Sequence, residues 1–266
     1  MFCLDPDYLD DLATQYRDSY ANAIPFPHIV IDNFLPEVIL EQILEEFPKP
    51  GEVNWQSFNN KSEKKLASTS ELQMGEATRL LLYQLNSSTF LNFLEQLTGI
   101  EGLIPDPHFV GGGLHQIERG GYLKLHADFN IYERLKLDRR LNLLLYLNKD
   151  WSEEYGGHLQ LWDRDMKTCY QKILPIFNRC VIFSTTDFSY HGHPDPLTCP
   201  ETRTRRSLAL YYYSNGRPTE EVSEGHTTIF KARDNEEIET EKTSQQFIKK
   251  LIPPIVFDLK NMILKK

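Results

Sequence analysis

The sequence predicts a mainly β protein with flanking helices, and three features support that expectation. From residue 108 to residue 213, short apolar runs alternate with Gly, Pro, Asn and Asp clusters, the rhythm of an all-β sandwich or barrel. On either side that rhythm is absent, and apolar residues recur at helical intervals instead. A 40% apolar and 12% aromatic content over 266 residues is enough to fill a sizeable core. The expected organisation is a single overall domain in three parts. Residues 1–105 form an N-terminal support region of helices and a strand, residues 106–217 the β core, and residues 218–266 a charged segment with a capping helix.

Residues 6–20 place Tyr8, Leu9, Leu12 and Tyr16 along one helical face. Residues 26–35 are a short β-branched run closed by Asp32 and Asn33, which predicts a strand and a turn. A helix follows over residues 36–47, with Pro36 in its first turn and Pro48 beyond its end. The polar, Lys- and Ser-rich residues 59–71 read as an exposed loop. Residues 75–97 read as helix, with a break expected near Asn86, Ser87 and Ser88. Inside the β region, residues 141–147 are apolar on both faces, as in a strand buried between two layers. Gly156 and Gly157 mark a turn before a strand at 158–162, and residues 180–183 and 207–213 are two further strands. Beyond Pro218 the chain is charged as far as Gln245, where a last amphipathic helix is expected, interrupted by Pro253 and Pro254.

A formal net charge of −9 argues against a nucleic-acid partner, because phosphate contacts need surplus Lys and Arg. The basic C-terminal residues Lys249, Lys250, Lys260, Lys265 and Lys266 are explained by a solvated helix face. No run approaches the roughly 20 apolar residues that span a bilayer. The first eleven residues carry Asp5, Asp7, Asp10 and Asp11 and do not resemble an export signal. Cys3, Cys169, Cys180 and Cys199 have no metal-finger spacing and are expected as free thiols in a reducing compartment, with the cytoplasm the default. Oligomeric state is left open.

The chemistry-bearing feature is His126 and Asp128, followed at a distance by His191. Residues two apart on a strand point the same way, so His126 and Asp128 can address one point. A third ligand from a distant strand completes a triad of two His and one carboxylate, the set that leaves open positions on non-haem Fe(II). Alone, an HxD pair recurs by chance. Arg205 and Ser207 add weight, since they share one face at the start of a very apolar strand. There a guanidinium fork and a hydroxyl can meet a carboxylate. The competing reading puts Arg205 in a surface basic run with Arg203 and Arg206. His193 competes with His191 as third ligand, and His108, His115 and His158 have no partner at ligand spacing.

In this order, His126-x-Asp128, His191 and Arg205-x-Ser207 resemble the signature of the Fe(II)/2-oxoglutarate-dependent oxygenases. The closer resemblance is to the prolyl 4-hydroxylase-like branch, which includes the hypoxia-sensing prolyl hydroxylases. Matching stretches are residues 146–151 with Gly156 and Gly157, Phe183 eight residues before His191, Arg205 leading into residues 209–212, and the opening residues 26–35. Together they span about residues 26–217. The resemblance implies a double-stranded β-helix, or jelly-roll (cupin-like), core. It further implies Fe(II) held by His126, Asp128 and His191, with 2-oxoglutarate as cosubstrate and O2 as oxidant. Arg205 and Tyr146 would hold the distal carboxylate, with Ser207 a third contact by strand geometry. Asn142 and Leu144, on the strand face of Tyr146, would line the same pocket. The spacing from Phe183 and the following Gly192 favour His191 over His193. Gln116 falls where the hypoxia-sensing enzymes place a pocket tyrosine, a departure from the pattern. Halogenating relatives have Gly or Ala in place of the carboxylate, so Asp128 favours hydroxylation.

The implied activity is hydroxylation of an unactivated C–H in an amino-acid residue, proline favoured, or in an amino-acid-like metabolite. The primary substrate would be an amino-acid derivative, a peptide or a protein. Two alternatives stand beside it: a natural-product oxygenase that desaturates or cyclises, and a jelly-roll binding protein without turnover. Residues 59–71 and 129–140 are the expected mouth loops, and Arg134, Lys136, Arg139 and Arg140 are candidates to receive an acidic group or to form a solvated charged loop.

Overall fold

The structure, a computed structural model, describes residues 4–233 and residue 236. The expected final helix, from Gln245 onward, lies outside the described residues, as does Cys3. Four helices and the first three strands come first. They are α1 (Pro6–Ala21), β1 (His28–Asp32), α2 (Glu37–Glu46), β2 (Gln56–Asn59), β3 (Glu63–Ser68), α3 (Glu76–Leu85) and α4 (Ser88–Thr98). Asp5 caps α1 by accepting a hydrogen bond from the Asp7 backbone N–H at 3.0 Å. The expected break between α3 and α4 falls at Asn86 and Ser87, and the Ser87 hydroxyl caps α4 at the Phe90 N–H.

The remaining strands are β4 (Ile104–Pro105), β5 (Gly113–Ile117), β6 (Tyr122–Ala127), β7 (Ile131–Tyr132), β8 (Leu137–Tyr146) and β9 (Leu159–Trp162). They continue with β10 (Cys169–Ile173), β11 (Arg179–Ser184), β12 (His191–His193), β13 (Arg205–Ser214) and β14 (Ile229–Phe230). All pair antiparallel, in the order β1-β11-β8-β13-β5-β3-β6-β12-β9-β10. This curled sheet is the double-stranded β-helix. Non-consecutive neighbours such as β8 and β13 bring residues 60 or more apart in sequence side by side.

Alternation along the central strands explains why they are apolar on both faces. Leu141, Leu143 and Leu145 of β8, Cys180 and Ile182 of β11, and Leu208, Leu210 and Tyr212 of β13 pack with the helices in the main core. The intervening Tyr146, Val181 and Phe183 join Leu159 and Leu161 inside the curl. Burying one such Leu is worth about 1.5–3 kcal/mol, so the helical layer stabilises the outer face of the strands whose inner face carries the site. Cys169, Cys180 and Cys199 are free thiols.

Two expectations are corrected. Residues 59–71 are not simply a loop: β2 and β3 form a hairpin, and β3 bridges β5 and β6. Asn60 shapes its turn by accepting from the Ser62 and Glu63 N–H groups. Polar side chains conceal this strand because its pairing is made by backbone groups. Residues 129–140 are likewise β7, a turn and the start of β8, and Arg139 and Arg140 are buried in that strand. Among the described residues, no helix is long and apolar enough to cross a membrane.

Candidate active site

Inside the curl lies a cavity of about 250 Å³. At one end β6 and β12 set His126 directly opposite His191, with ring centroids 4.4 Å apart. Asp128 follows β6 immediately. The ligand atoms of His126, Asp128 and His191 all lie within 4.8 Å of one another. Both histidines use Nδ1 on a backbone carbonyl, His126 on Lys124 at 2.8 Å and His191 on Ser189 at 2.9 Å. A carbonyl only accepts, so each Nδ1 carries the proton and each Nε2 presents a lone pair. Those Nε2 atoms face the carboxylate, at 3.5 Å from Oδ1 for His126 and 3.6 Å from Oδ2 for His191. Phe183 meets the His191 ring edge-on at 4.6 Å, which fixes its plane. Gly192 allows this approach: a Cβ there would stand 2.8 Å from the backbone oxygens of Leu123 and Lys124.

Asp128 is held from behind. Its Oδ2 accepts from Arg139 Nη2 at 2.8 Å and from Asn142 Nδ2 at 3.1 Å. Burial alone would raise its pKa, but the Arg139 guanidinium outweighs burial and holds it well below the usual carboxylate range. Arg139 is 1% exposed and its guanidinium sits 3.5 Å from the Tyr211 ring centroid. The donor set, two imidazole nitrogens and an ionised carboxylate clustered in a buried cavity, fits an Fe(II)-type ion.

At the other end lies Arg205, 5% exposed. Its Nε donates to the Gly157 carbonyl at 2.9 Å and its Nη2 to Tyr146 Oη at 3.2 Å. Gly157, at φ +74°, is required there, because a Cβ would lie 2.9 Å from Arg205 Cδ. No carboxylate pairs with Arg205 among the described residues. A buried guanidinium without a counter-charge is costly, so this end of the cavity is suited to an anionic group. Ser207, Asn142 and Leu144 line the cavity with Arg205, while Tyr146 stands behind it. The surface reading of Arg205 does not hold, whereas Arg203 does turn outward to the Lys149 carbonyl.

Several cavity positions were not legible in the sequence. Gln116 does not enter the cavity: it is buried on the opposite face of β5, bonded to Thr204 and Pro48, and His115 and Ile117 line the cavity instead. Strict alternation from Asn142 puts Arg140 on the inner face. A bulge opposite Tyr212 and Tyr213 skips Arg140 and turns Arg139 inward. Arg140 pairs instead with Glu221, and Lys136 with Glu133. Thr228 and Phe230 also line the cavity, since β14 adds to β6 and sets Phe230 5.5 Å from the His126 ring.

The buried histidines predict a pH response of the metal-free protein. Burial pulls His191 down to about 4, despite the opposing Asp128, and lowers His28 and His193 in the same direction. An unfolded histidine takes up a proton near pH 6.5 while these do not, so stability is full above that pH and falls as pH drops toward 4. From His191 alone, pH 5 removes on the order of 2 kcal/mol. Thermal melts at pH 7.5 and 5.0 should show a clear fall in Tm; equal Tm values would mean that these rings protonate in place.

Residues 112–213 match the model of the 2OG-Fe(II) oxygenase superfamily. Over 79 residues the chain is 30% identical to prolyl 3-hydroxylase OGFOD1 of Mus musculus, a match covering 28% of this chain and 14% of that protein's length. Among solved structures it is similar to a Pseudomonas putida prolyl-4-hydroxylase, with TM-score 0.56, 15% identity, and 77% of this chain and 100% of that one covered. It is also similar to a Trichoplax adhaerens prolyl hydroxylase in complex with a hypoxia inducible factor peptide, with TM-score 0.54, 18% identity, and 78% and 91% covered. At such identities the structural likeness establishes the fold.

Proposed function

From the match of residues 112–213 to the model of the 2OG-Fe(II) oxygenase superfamily, we propose that the chain hydroxylates an unactivated C–H of an amino-acid residue, with proline favoured, in a peptide, a protein or an amino-acid-like metabolite. One observation carries the reading: the His126, Asp128 and His191 cluster shares a single buried cavity with Arg205. The sequence similarity to the mouse prolyl 3-hydroxylase favours proline. The apolar part of the cavity wall, with Phe58, Phe129, Tyr211 and Phe230, suits a compact ring.

In this reading His126, Asp128 and His191 hold Fe(II), and Arg205, Tyr146 and Ser207 hold 2-oxoglutarate by its distal carboxylate, with Asn142 and Leu144 beside it. When bound, iron and 2-oxoglutarate supply the oxidising power: the oxoacid is oxidatively decarboxylated to succinate and CO2, and one oxygen atom of O2 enters the succinate while the other enters the substrate. The protein's own residues orient and insulate. The Lys124 and Ser189 carbonyls keep both Nε2 atoms deprotonated toward the metal position. Arg139 and Asn142 occupy Asp128 Oδ2 and leave Oδ1 the less encumbered oxygen. Phe183 and Phe230 cover the His191 and His126 rings and shield them from water.

Anaerobic titration with Fe(II) and then 2-oxoglutarate should produce the weak visible band of the metal-bound oxoacid. In air, a proline-containing peptide library should then yield succinate with a 16 Da gain on one peptide. Absence of both the band and succinate would overturn the oxygenase reading. Succinate formed only with non-peptide substrates would leave the oxygenase and remove the peptide.

A further inference from the structure

We propose that His193 selects the cosubstrate by donating a hydrogen bond to the distal carboxylate of the bound oxodiacid, beside Arg205 and Ser207. The inference rests on the reading of this cavity as a 2-oxoglutarate site. His193 lies two residues beyond His191 on β12, across an irregularity in its pairing with β6 that sets it opposite Leu123. Its ring lines the cavity with Arg205, Ser207, His115 and Lys65 and is only 3% exposed.

Among the described residues, neither ring nitrogen of His193 has a hydrogen-bond partner. The other buried histidines are treated differently. His28, His126 and His191 each use Nδ1 on a backbone carbonyl, at 2.8, 2.8 and 2.9 Å. A histidine kept only for packing would be expected to find such a partner, because a buried, unsatisfied polar group is destabilising. Leu123 opposite and Leu159 nearby show that this wall accommodates aliphatic side chains, so packing alone does not call for an imidazole.

The missing partner is not a protein acid. No hydrogen bond or ion pair joins His193 to a carboxylate among the described residues, and Lys65, which lines the same cavity, is already paired with Glu63 at 3.0 Å. An anion brought by a ligand answers every open donor at once. Arg205 has used Nε and Nη2, and neither its Nη1 nor Ser207 Oγ has a partner among the described residues. A carboxylate offers about four lone-pair positions, enough for Nη1, the Ser207 hydroxyl and one His193 N–H. A site that aims buried donors at a carboxylate rejects an analogue lacking it, since the donors are then left unpaired.

The test compares two oxoacids with the same keto-acid end on the Fe(II)-loaded protein under anaerobic conditions: 2-oxoglutarate and 2-oxopentanoate, which has no distal carboxylate. Calorimetry on wild type, His193→Ala and His193→Gln gives the affinities, and Fe(II) affinity is measured separately. His193→Ala should weaken 2-oxoglutarate at least about tenfold, the effect of losing one hydrogen bond to a charged group. Fe(II) and 2-oxopentanoate binding should stay within about twofold, and His193→Gln should recover part of the loss. Equal weakening of both oxoacids would make His193 a packing residue and overturn the proposal, as would no weakening. Loss of Fe(II) binding would make it a metal ligand instead, with the same consequence. If wild type itself does not bind 2-oxoglutarate, the oxygenase reading falls and this proposal with it; wild-type binding with an unaltered His193→Ala variant defeats this proposal alone.

Discussion

Asp128→Ala should lose Fe(II) binding and unfold at a markedly lower temperature, whereas Asp128→Asn should lose the metal with less destabilisation. The carboxylate carries two loads. Toward the cavity it stands 3.5 and 3.6 Å from the two imidazole Nε2 atoms. On the far side it accepts from Arg139, which is 1% exposed and pairs with no other acid among the described residues. Removing one partner of a buried ion pair costs about 3–5 kcal/mol, because the other charge stays behind in a low-dielectric interior. Asparagine keeps an acceptor for the guanidinium and so recovers part of that. The loss in metal affinity should exceed the roughly 10–100-fold typical of an outer-shell partner. Melts of the metal-free proteins and Fe(II) titrations separate the two effects. Arg139→Met added to Asp128→Ala should restore stability without restoring the metal. Wild-type Fe(II) affinity in Asp128→Ala would remove Asp128 from the ligand set.

Arg205→Ala should raise the 2-oxoglutarate concentration needed for half-saturation about 100-fold while leaving Fe(II) affinity unchanged. Charge-assisted hydrogen bonds contribute roughly 1.5–3 kcal/mol each, and 1.4 kcal/mol is tenfold in affinity. Arg205→Lys should fall between, because an ammonium cannot keep the bonds to Gly157 and Tyr146 while addressing a carboxylate. Arg206→Ala is the control, since its side chain bonds Thr204 on the other face of β13. An equal loss in Arg206→Ala, or none in Arg205→Ala, would move the carboxylate anchor elsewhere.

Much of the fold was legible in the residue pattern. Helices α1 to α4 follow their apolar spacing and caps, and the double apolar face of β8 announced a strand between two layers. Asp128 and Arg205 were legible as candidate site residues because their spacings to His126 and Ser207 survive in extended backbone, and both line the one cavity. The polar strand β3 was not, because backbone pairing with β5 and β6 leaves little mark on side-chain composition.

What the sequence determined by itself was local: which segments can be helix or strand, and which side chains two apart share a face. The tertiary structure decided what depends on distant strands meeting. It turned Arg139 inward through one bulge, turned Gln116 outward and His115 inward, and left His193 in the cavity without a partner. The physical reason is the period of two: one skipped residue exchanges the faces of every residue beyond it, and only the neighbouring strand's hydrogen bonds decide where the skip falls.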